Sequence, residues 1–411
     1  MPARFFLLIA AQFASALADN ALLIVAIALL EQQGRAAWWA PLLKLAMTLA
    51  YVLLAPLAGP LADAVRKARL MMAMNGVKVL GTLGLALGWH PAACFVLVGI
   101  GAAAYAPAKY GLVTELVPPS RLVAANGCLE VSVVFAALFG IVLGGGLVSE
   151  AWLSLMPTLF DDLPAGPLMP SLIGLLVIYA IAALLNLGVP DSGARYARCE
   201  IHPVALWRDF RAANSQLWRD ADGGLSLAVT TGFWGVGAVL QFAVLRWAAQ
   251  GLQLDLAQGS LLQGAVALGV IVGAAIAAWR VPLVRAKQML GFGVLLGLLV
   301  TAVACSASLP AAVPGLVLTG VAGGLLVVPL NALLQHRGHQ LLSAGRSIAV
   351  QGFNENLSIL VMLAVYAALQ GLGMPIVPLM CGFGLLIAAG MAALLWRQAR
   401  REGRGLRPTD A

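Results

Sequence analysis

Five ionisable side chains stand within apolar stretches of this sequence: Asp19, Lys78, Lys109, Glu130 and Glu355. A charge at the centre of a bilayer costs at least ~2.5–3.5 kcal/mol on insertion scales, so each needs a partner or a polar pathway. Both signs are present, and together they could hold a dipolar group. A lysine attracts a phosphate as a point charge, and a carboxylate attracts an ammonium. Gln12, Ser15 and Asp19 recur at i, i+3 and i+7, one helical face, with Asn20 beside it. Ser347, Gln351, Asn354 and Ser358 recur at i, i+4, i+7 and i+11, flanked by Glu355 and Asn356. The two polar stripes are expected to line a shared aqueous cavity; the alternative is that they hold helices together by interhelical hydrogen bonds. Lys109 follows Pro107, which removes a backbone donor and loosens the helix. It could bind a phosphate, pair with Asp19 or Glu130, or snorkel to the surface. Lys78 is a weaker candidate of the same kind.

The elements that carry these residues follow from composition. Of 411 residues 61% are hydrophobic and 10% charged, and the mean hydropathy is +0.93. Soluble domains run near ~45–50% apolar and ~25% charged, so a water-facing surface cannot be built here. Backbone groups in lipid must be satisfied within their own segment, which makes the apolar runs helices. Twelve are predicted, over 5–30, 40–62, 70–89, 92–113, 123–148, 171–189, 224–248, 259–280, 289–307, 313–335, 347–371 and 375–396. Ala16-Leu17-Ala18 before Asp19 imitates a signal-peptide cleavage site, but the apolar run resumes at Ala21, and the segment is read as an uncleaved first helix.

The fold class is therefore an all-α integral membrane protein. It is expected to form two six-helix halves, 1–190 and 223–396, with a basic amphipathic linker 191–222 and a tail 397–411. With a cytoplasmic N-terminus, 20 of the 25 lysines and arginines fall on the cytoplasmic side and only Arg35 on the other. That bias obeys the positive-inside rule, and the even helix count returns the C-terminus to the cytoplasm. The net charge of +8 is distributed over these loops, which argues against nucleic acid as a partner. A weak internal repeat supports the halves: Gly101 precedes Pro107 by six residues, and Gly323 precedes Pro329 by six, with Asn331 following. Six-plus-six parallel repeats are a transporter architecture in which substrate binds near the midplane.

No sequence pattern calls for catalysis or a bound group. The five cysteines show no metal-ligand spacing and are read as packing residues, without support for a disulfide framework. His336 and His339 stand at a helix end and are read as solvated. Membrane acyltransferases commonly pair His with an Asp across four residues. The matching positions after the four histidines are Phe95, Trp207, Leu341 and Ala344. No nucleotide-binding loop is evident, so neither an enzyme nor an ATP-driven pump is expected, and no cofactor or metal.

Gly59-Pro60-Leu61-Ala62-Asp63, followed by Arg66, Lys67 and Arg69, occupies the turn between helices 2 and 3 and forms a candidate conformational latch. It resembles the cytoplasmic signature of the major facilitator superfamily. One departure is visible: the glycine that usually follows the aspartate is replaced. Further segments are similar to the bacterial lysophospholipid transporter (LplT) family within that superfamily, nearly end to end. They are Gln12-Phe13 through Leu23, Gly101 through Gly111, Val328 through Gln335 and Ala349 through Asn356. The resemblance implies inward movement of lysophospholipids, chiefly lysophosphatidylethanolamine, across the inner membrane. It further implies facilitated diffusion without a coupled ion, and re-acylation by a partner acyltransferase. It places the polar function at Asp19 and Lys109; Asn20, Glu130, Gln241, Asn331, Gln351, Asn354 and Glu355 are the further substrate-binding candidates. The resemblance implies an arginine in the seventh helix where this sequence has Gln241, and Arg246 follows a little over one turn later. A proton-coupled drug or metabolite antiporter of the same fold is the alternative.

Overall fold

The computed structural model describes residues 3–35, 39–155, 162–196, 202–254 and 256–405. Arg198 and Arg407, counted above among the cytoplasmic basic residues, and Cys199, one of the five cysteines, lie outside them. Apart from an amphipathic helix Pro203–Arg219, twelve helices of 15 or more residues are present among the described residues: α1 Ala3–Gln32, α2 Trp39–Ala64, α3 Lys67–Ala86, α4 Pro91–Leu116, α5 Leu122–Leu147, α6 Met169–Leu187, α7 Ala221–Gly251, α8 Leu256–Arg280, α9 Leu290–Ala304, α10 Leu309–Leu341, α11 Ala344–Gly371 and α12 Ile376–Gly405. Eleven segments are long and apolar enough to cross a membrane, and α3 is the exception. Lys67, Arg69, Asn75 and Lys78 dilute its hydrophobicity. α1 runs unbroken through Ala16-Leu17-Ala18.

The residues gather into two compact units. The first comprises 1–118, 132–217 and 335–356, and the second 119–131, 218–334 and 357–411. In the first, α3 packs against α4 and α6, α1 against α6, and α2 against α4. Its apolar core runs from Ala18, Leu22 and Val25 of α1 through Phe95 and Val98 of α4 to Leu172 and Leu175 of α6. A separate helix, Pro203–Arg219, places Leu206, Phe210, Ala213 and Leu217 inward at i, i+4, i+7 and i+11, while Arg208, Arg211 and Trp218 stay exposed. In the second unit, α9 packs closely on α12, and α7 on α8 and α12. Asp220 caps α7, its side chain accepting from the backbone N–H of Gly223 at 2.7 Å.

Helices approach at glycines because, without a hydrophobic force between them in lipid, close backbone packing holds them. In the first unit, a Cβ at Gly140 of α5 would stand 2.6 Å from the Leu17 carbonyl of α1. In the second, one at Gly324 of α10 would stand 2.6 Å from both Ala274 N and Val270 O of α8. Overpacking of this kind costs ~1–3 kcal/mol or more where backbone must move. Gly324→Leu is thus expected to cut the yield of monodisperse protein several-fold in detergent size exclusion, whereas Gly264→Ala, with nothing within 4 Å of the added carbon, leaves it unchanged.

Candidate functional site

Because α3 lies beside α6 and α1 packs on α6, residues distant in sequence meet within the first unit. Lys78 of α3, only 2% exposed, donates to Asp19 of α1 at 2.7 Å. The second Asp19 oxygen accepts from the Tyr179 hydroxyl of α6, also at 2.7 Å. Lys78 further donates to Ser15 at 2.9 Å, and Ser15 donates to Asn75 at 2.8 Å. The ammonium sits 5.4 Å from the Tyr105 ring centroid and 5.8 Å from that of Tyr179, so aromatic faces complete its surroundings. Gln12, one turn along α1, is buried, and neither of its amide atoms has a hydrogen-bond partner in the structure. Asp19 keeps 18% of its side-chain surface open, so the pair is not sealed off.

The Lys78 pairing changes the reading of the cations. The sequence favoured Lys109 as the functional lysine, yet Lys78 is the one that meets Asp19. Its position explains why: it lies three residues after Asn75, on the α3 face toward α1. Lys109 stands half-buried on α4 with its ammonium 4.2 Å from the Tyr110 ring centroid. Asn20 donates to Ala16 O of its own helix at 2.8 Å. Glu130 on α5 and Asn331 on α10 are buried. Gln241 and Arg246 are exposed on α7, and the Gln241 carbonyl accepts from Gln263 at 2.7 Å.

The α11 stripe meets several neighbours. Asn354 donates to Asn214 of the Pro203–Arg219 helix at 2.8 Å, Ser347 packs on Gly338 of α10, and Ser358 packs on Gly235 of α7. Gln351 donates to Glu355 at 2.8 Å. Ser347, Asn354 and Ser358 thus make helix contacts of the kind by which polar side chains join membrane helices.

A second ionic cluster gathers at the end of α2. Asp63 accepts from the backbone N–H groups of Gly345 at 2.9 Å and Arg346 at 3.3 Å, and from the Ser343 hydroxyl. It thereby caps the N-terminus of α11, where free N–H groups and the helix dipole favour an anion. Gly59, one turn before, permits the approach: a Cβ there would stand 2.9 Å from Arg346 Cα. Lys67 is 3.9 Å from Asp63 but pairs at 2.6 Å with Glu115 of α4. Glu115 also accepts from Ser192 at 2.5 Å and Tyr196 at 2.9 Å. Of the basic residues expected to latch with Asp63, Lys67 stands within ion-pair distance, while backbone N–H groups and Ser343 make the closer contacts and Glu115 takes the short bond from the lysine. Glu115, Ser343 and Tyr179 escaped the sequence reading. A carboxylate just before Pro118-Pro119 and a single tyrosine in the apolar α6 were the available signals.

Arg66 pairs with Asp191 at 3.2 Å at the surface. The Arg195 guanidinium bonded to Asp191, helped by the Gly193 N–H and Arg66, holds that carboxyl down at about 2. A depressed carboxyl contributes above its ordinary value and loses that contribution only as pH falls through about 2. Asp191 is therefore expected to show no protonation band between pH 4 and 8 in difference infrared spectroscopy; a band there would contradict the loop geometry.

Among the described residues no group of three or more His, Cys, Asp or Glu side chains is placed to hold a metal ion. Comparison with known proteins places the arrangement. Residues 8–361 match the Major Facilitator Superfamily profile. A curated protein of Yersinia pestis (strain Pestoides F), lysophospholipid transporter LplT, is 41% identical over 89% of this chain and 87% of its own length. The chain belongs to the LplT family of the major facilitator superfamily. The Yersinia pseudotuberculosis serotype I (strain IP32953) LplT matches equally, at 41% over the same shares. Solved structures share the fold at low identity. The human organic anion transporter MFSD10 (TETRAN) superposes with TM-score 0.72 at 17% identity, over 95% of this chain and all of that one. The transporter FucP, in its outward conformation, gives 0.73 at 17%, over 97% of this chain and 98% of its own. In this LplT-family chain, the central ion pair and the α2–α11 cap are thus features of a multi-pass membrane transporter fold.

Proposed function

We propose that this chain moves lysophospholipids, chiefly lysophosphatidylethanolamine (2-acyl-glycerophosphoethanolamine), from the outer to the inner leaflet of a bacterial inner membrane by facilitated diffusion. There an inner-membrane acyltransferase re-acylates them. The observation that carries the reading is the 41% identity to LplT across 89% of the chain. In this reading both termini are cytoplasmic, because the turns holding Arg66, Lys67 and Arg69, and Arg280, Arg285 and Lys287, collect the basic residues on one side. The halves 1–190 and 223–396, joined by 191–222, are the moving parts, and 397–411 is a cytoplasmic tail.

The chemistry of the pair suits the substrate. The headgroup carries a phosphate and an ammonium. Lys78 and Asp19 hold one another, so a dipolar head that enters between them exchanges one ion pair for two and leaves no charge unmatched. An amphiphile with a single charge would strand one partner, a cost of several kcal/mol in a low-dielectric site. Lys109 and Glu355 are the further charges offered to phosphate and amine, while the acyl chain stays in lipid. Asp19 already accepts bonds at both oxygens, which favours this role over proton carriage in a coupled antiporter. Uptake of labelled lysophosphatidylethanolamine into spheroplasts is expected to change by less than a factor of two when an uncoupler collapses the proton gradient; its abolition would replace this reading with the antiporter.

A further inference from the structure

In the second unit, α9 and α12 run side by side in close backbone contact. Gly297 of α9 faces Gly384 of α12, and a Cβ on Gly384 would stand 2.7 Å from the Gly297 carbonyl. Thr301 continues the α9 face by one turn, and the Thr301 hydroxyl lies where a Gly384 Cβ would be. Another turn on, the same two faces present Cys305 and Cys381, whose sulfurs are 3.7 Å apart. This is van der Waals contact between two thiols, and a disulfide needs ~2.05 Å. Cys305 has left the helix, at the C-cap of α9, and it is exposed; Cys381 is partly so. The packing residues just below fix both helix backbones, and the side chains supply the remaining closure.

The ends of these helices say which compartment the thiols meet. α9 starts beside Arg280, Arg285 and Lys287 and ends at Cys305, while α12 begins before Cys381 and finishes in Arg397 and Arg400. Both sulfurs therefore lie at the ends remote from the basic clusters. With the sidedness given under Proposed function, on which this inference rests, that end faces the periplasm, where disulfides form and persist. We propose that Cys305 and Cys381 are a redox modification site, joined in the mature protein as a disulfide that staples α9 to α12.

The oxidant is a disulfide, protein-borne or small, designated RSSR. The Cys305 thiolate attacks one sulfur and expels RS⁻, giving a mixed disulfide; the Cys381 thiolate then attacks Cys305 sulfur and expels the second RS⁻. One S–S bond breaks, one forms, and the two electrons and two protons of the cysteine thiols end on two RSH. The staple closes the chain across 76 residues, and cross-links over long loops restrict the unfolded chain most. Both sulfurs belong to one compact unit, so the bond stabilises that unit.

The test uses the full chain in membranes from aerobically grown cells, denatured in N-ethylmaleimide so that every free thiol, the buried Cys94 included, is blocked, then reduced and treated with maleimide-polyethylene glycol. Two newly reactive thiols are expected in the wild type and none in Cys305→Ser, with the oxidised protein melting at least ~2 °C above its reduced form. In parallel, a membrane-impermeant maleimide is applied to reduced spheroplasts and to inverted vesicles. No newly reactive thiols in the wild type, with Cys305 labelled from outside, overturns the disulfide while leaving the sidedness intact. Two new thiols persisting in Cys305→Ser overturns the pairing. Labelling of Cys305 only in inverted vesicles overturns the sidedness and the proposal with it.

Discussion

Replacing Lys78 by methionine is expected to lower lysolipid uptake at least ~10-fold and to lower the amount of folded protein as well, because it strands Asp19 with a single phenolic donor. Removing one member of a buried ion pair typically costs ~3–5 kcal/mol, since the remaining charge stays in low dielectric. The informative comparison is the double variant Asp19→Asn with Lys78→Met. It leaves no lone charge, so its abundance and melting temperature should return close to wild type. Its uptake should not, because the opposite charges offered to a dipolar head are gone. Abundance is read by detergent size exclusion and uptake with labelled lysolipid. Wild-type uptake per folded molecule in the double variant would show that the pair serves packing alone. Conservative replacement separates the contributions further: Tyr179→Phe removes one 2.7 Å bond to Asp19 but no charge, and a fall of only a few-fold is expected.

Asp63→Ala is the second change with a large expected effect. It deletes the acceptor of two backbone N–H bonds and one hydroxyl bond at the start of α11. Hydrogen bonds to a charged group contribute ~1.5–3 kcal/mol, and the helix-terminal charge adds ~0.3–1 kcal/mol. The contact joins α2 to α11, so losing it is expected to weaken the conformation in which those two helices meet. Uptake should drop ~10-fold or more, while folded protein falls by less than half. Asp63→Asn keeps one acceptor oxygen and should fall between. Gly59→Ala tests the same contact through space, because its added carbon meets the Arg346 backbone at 2.9 Å, and it should mimic Asp63→Ala in direction. Full uptake by Asp63→Ala would remove the cap from the transport cycle.

The helices were legible because the bilayer imposes a simple rule: an apolar run of sufficient length must satisfy its own backbone. Even α3, too polar to pass on hydropathy, was visible between two loops of the right spacing. Asp19 was legible for a related reason, since a carboxylate among Leu and Ala has few innocent explanations. Its partner was not. Choosing between Lys78 and Lys109 depends on which of α3 and α4 packs on α6 and on which face of its helix each lysine stands, and hydrophobic periodicity carries no information on helix neighbours. The contacts of the α11 stripe were hidden for a different reason. A row of polar side chains on one helix reads the same whether it faces water or other helices, and Asn214, Gly338 and Gly235, which receive it, lie on three separate elements. Glu115 was hidden because its value comes from Lys67, Ser192 and Tyr196, 48, 77 and 81 residues away. The two thiols at the ends of α9 and α12 were read as packing for the same reason: their 76-residue separation matches no short motif.

Flux of labelled 2-acyl-glycerophosphoethanolamine into spheroplasts decides whether a dipolar head crosses by way of opposite charges held within this chain. Cells lacking the chain are compared with the same cells after it is restored, as wild type or as the Asp19→Asn, Lys78→Met pair at matched abundance. Restoration by the wild type of a saturable flux at least ~10-fold above background, and by the paired variant of almost none, is the expected result; equal flux in all three, with folded protein in the membrane, would contradict it.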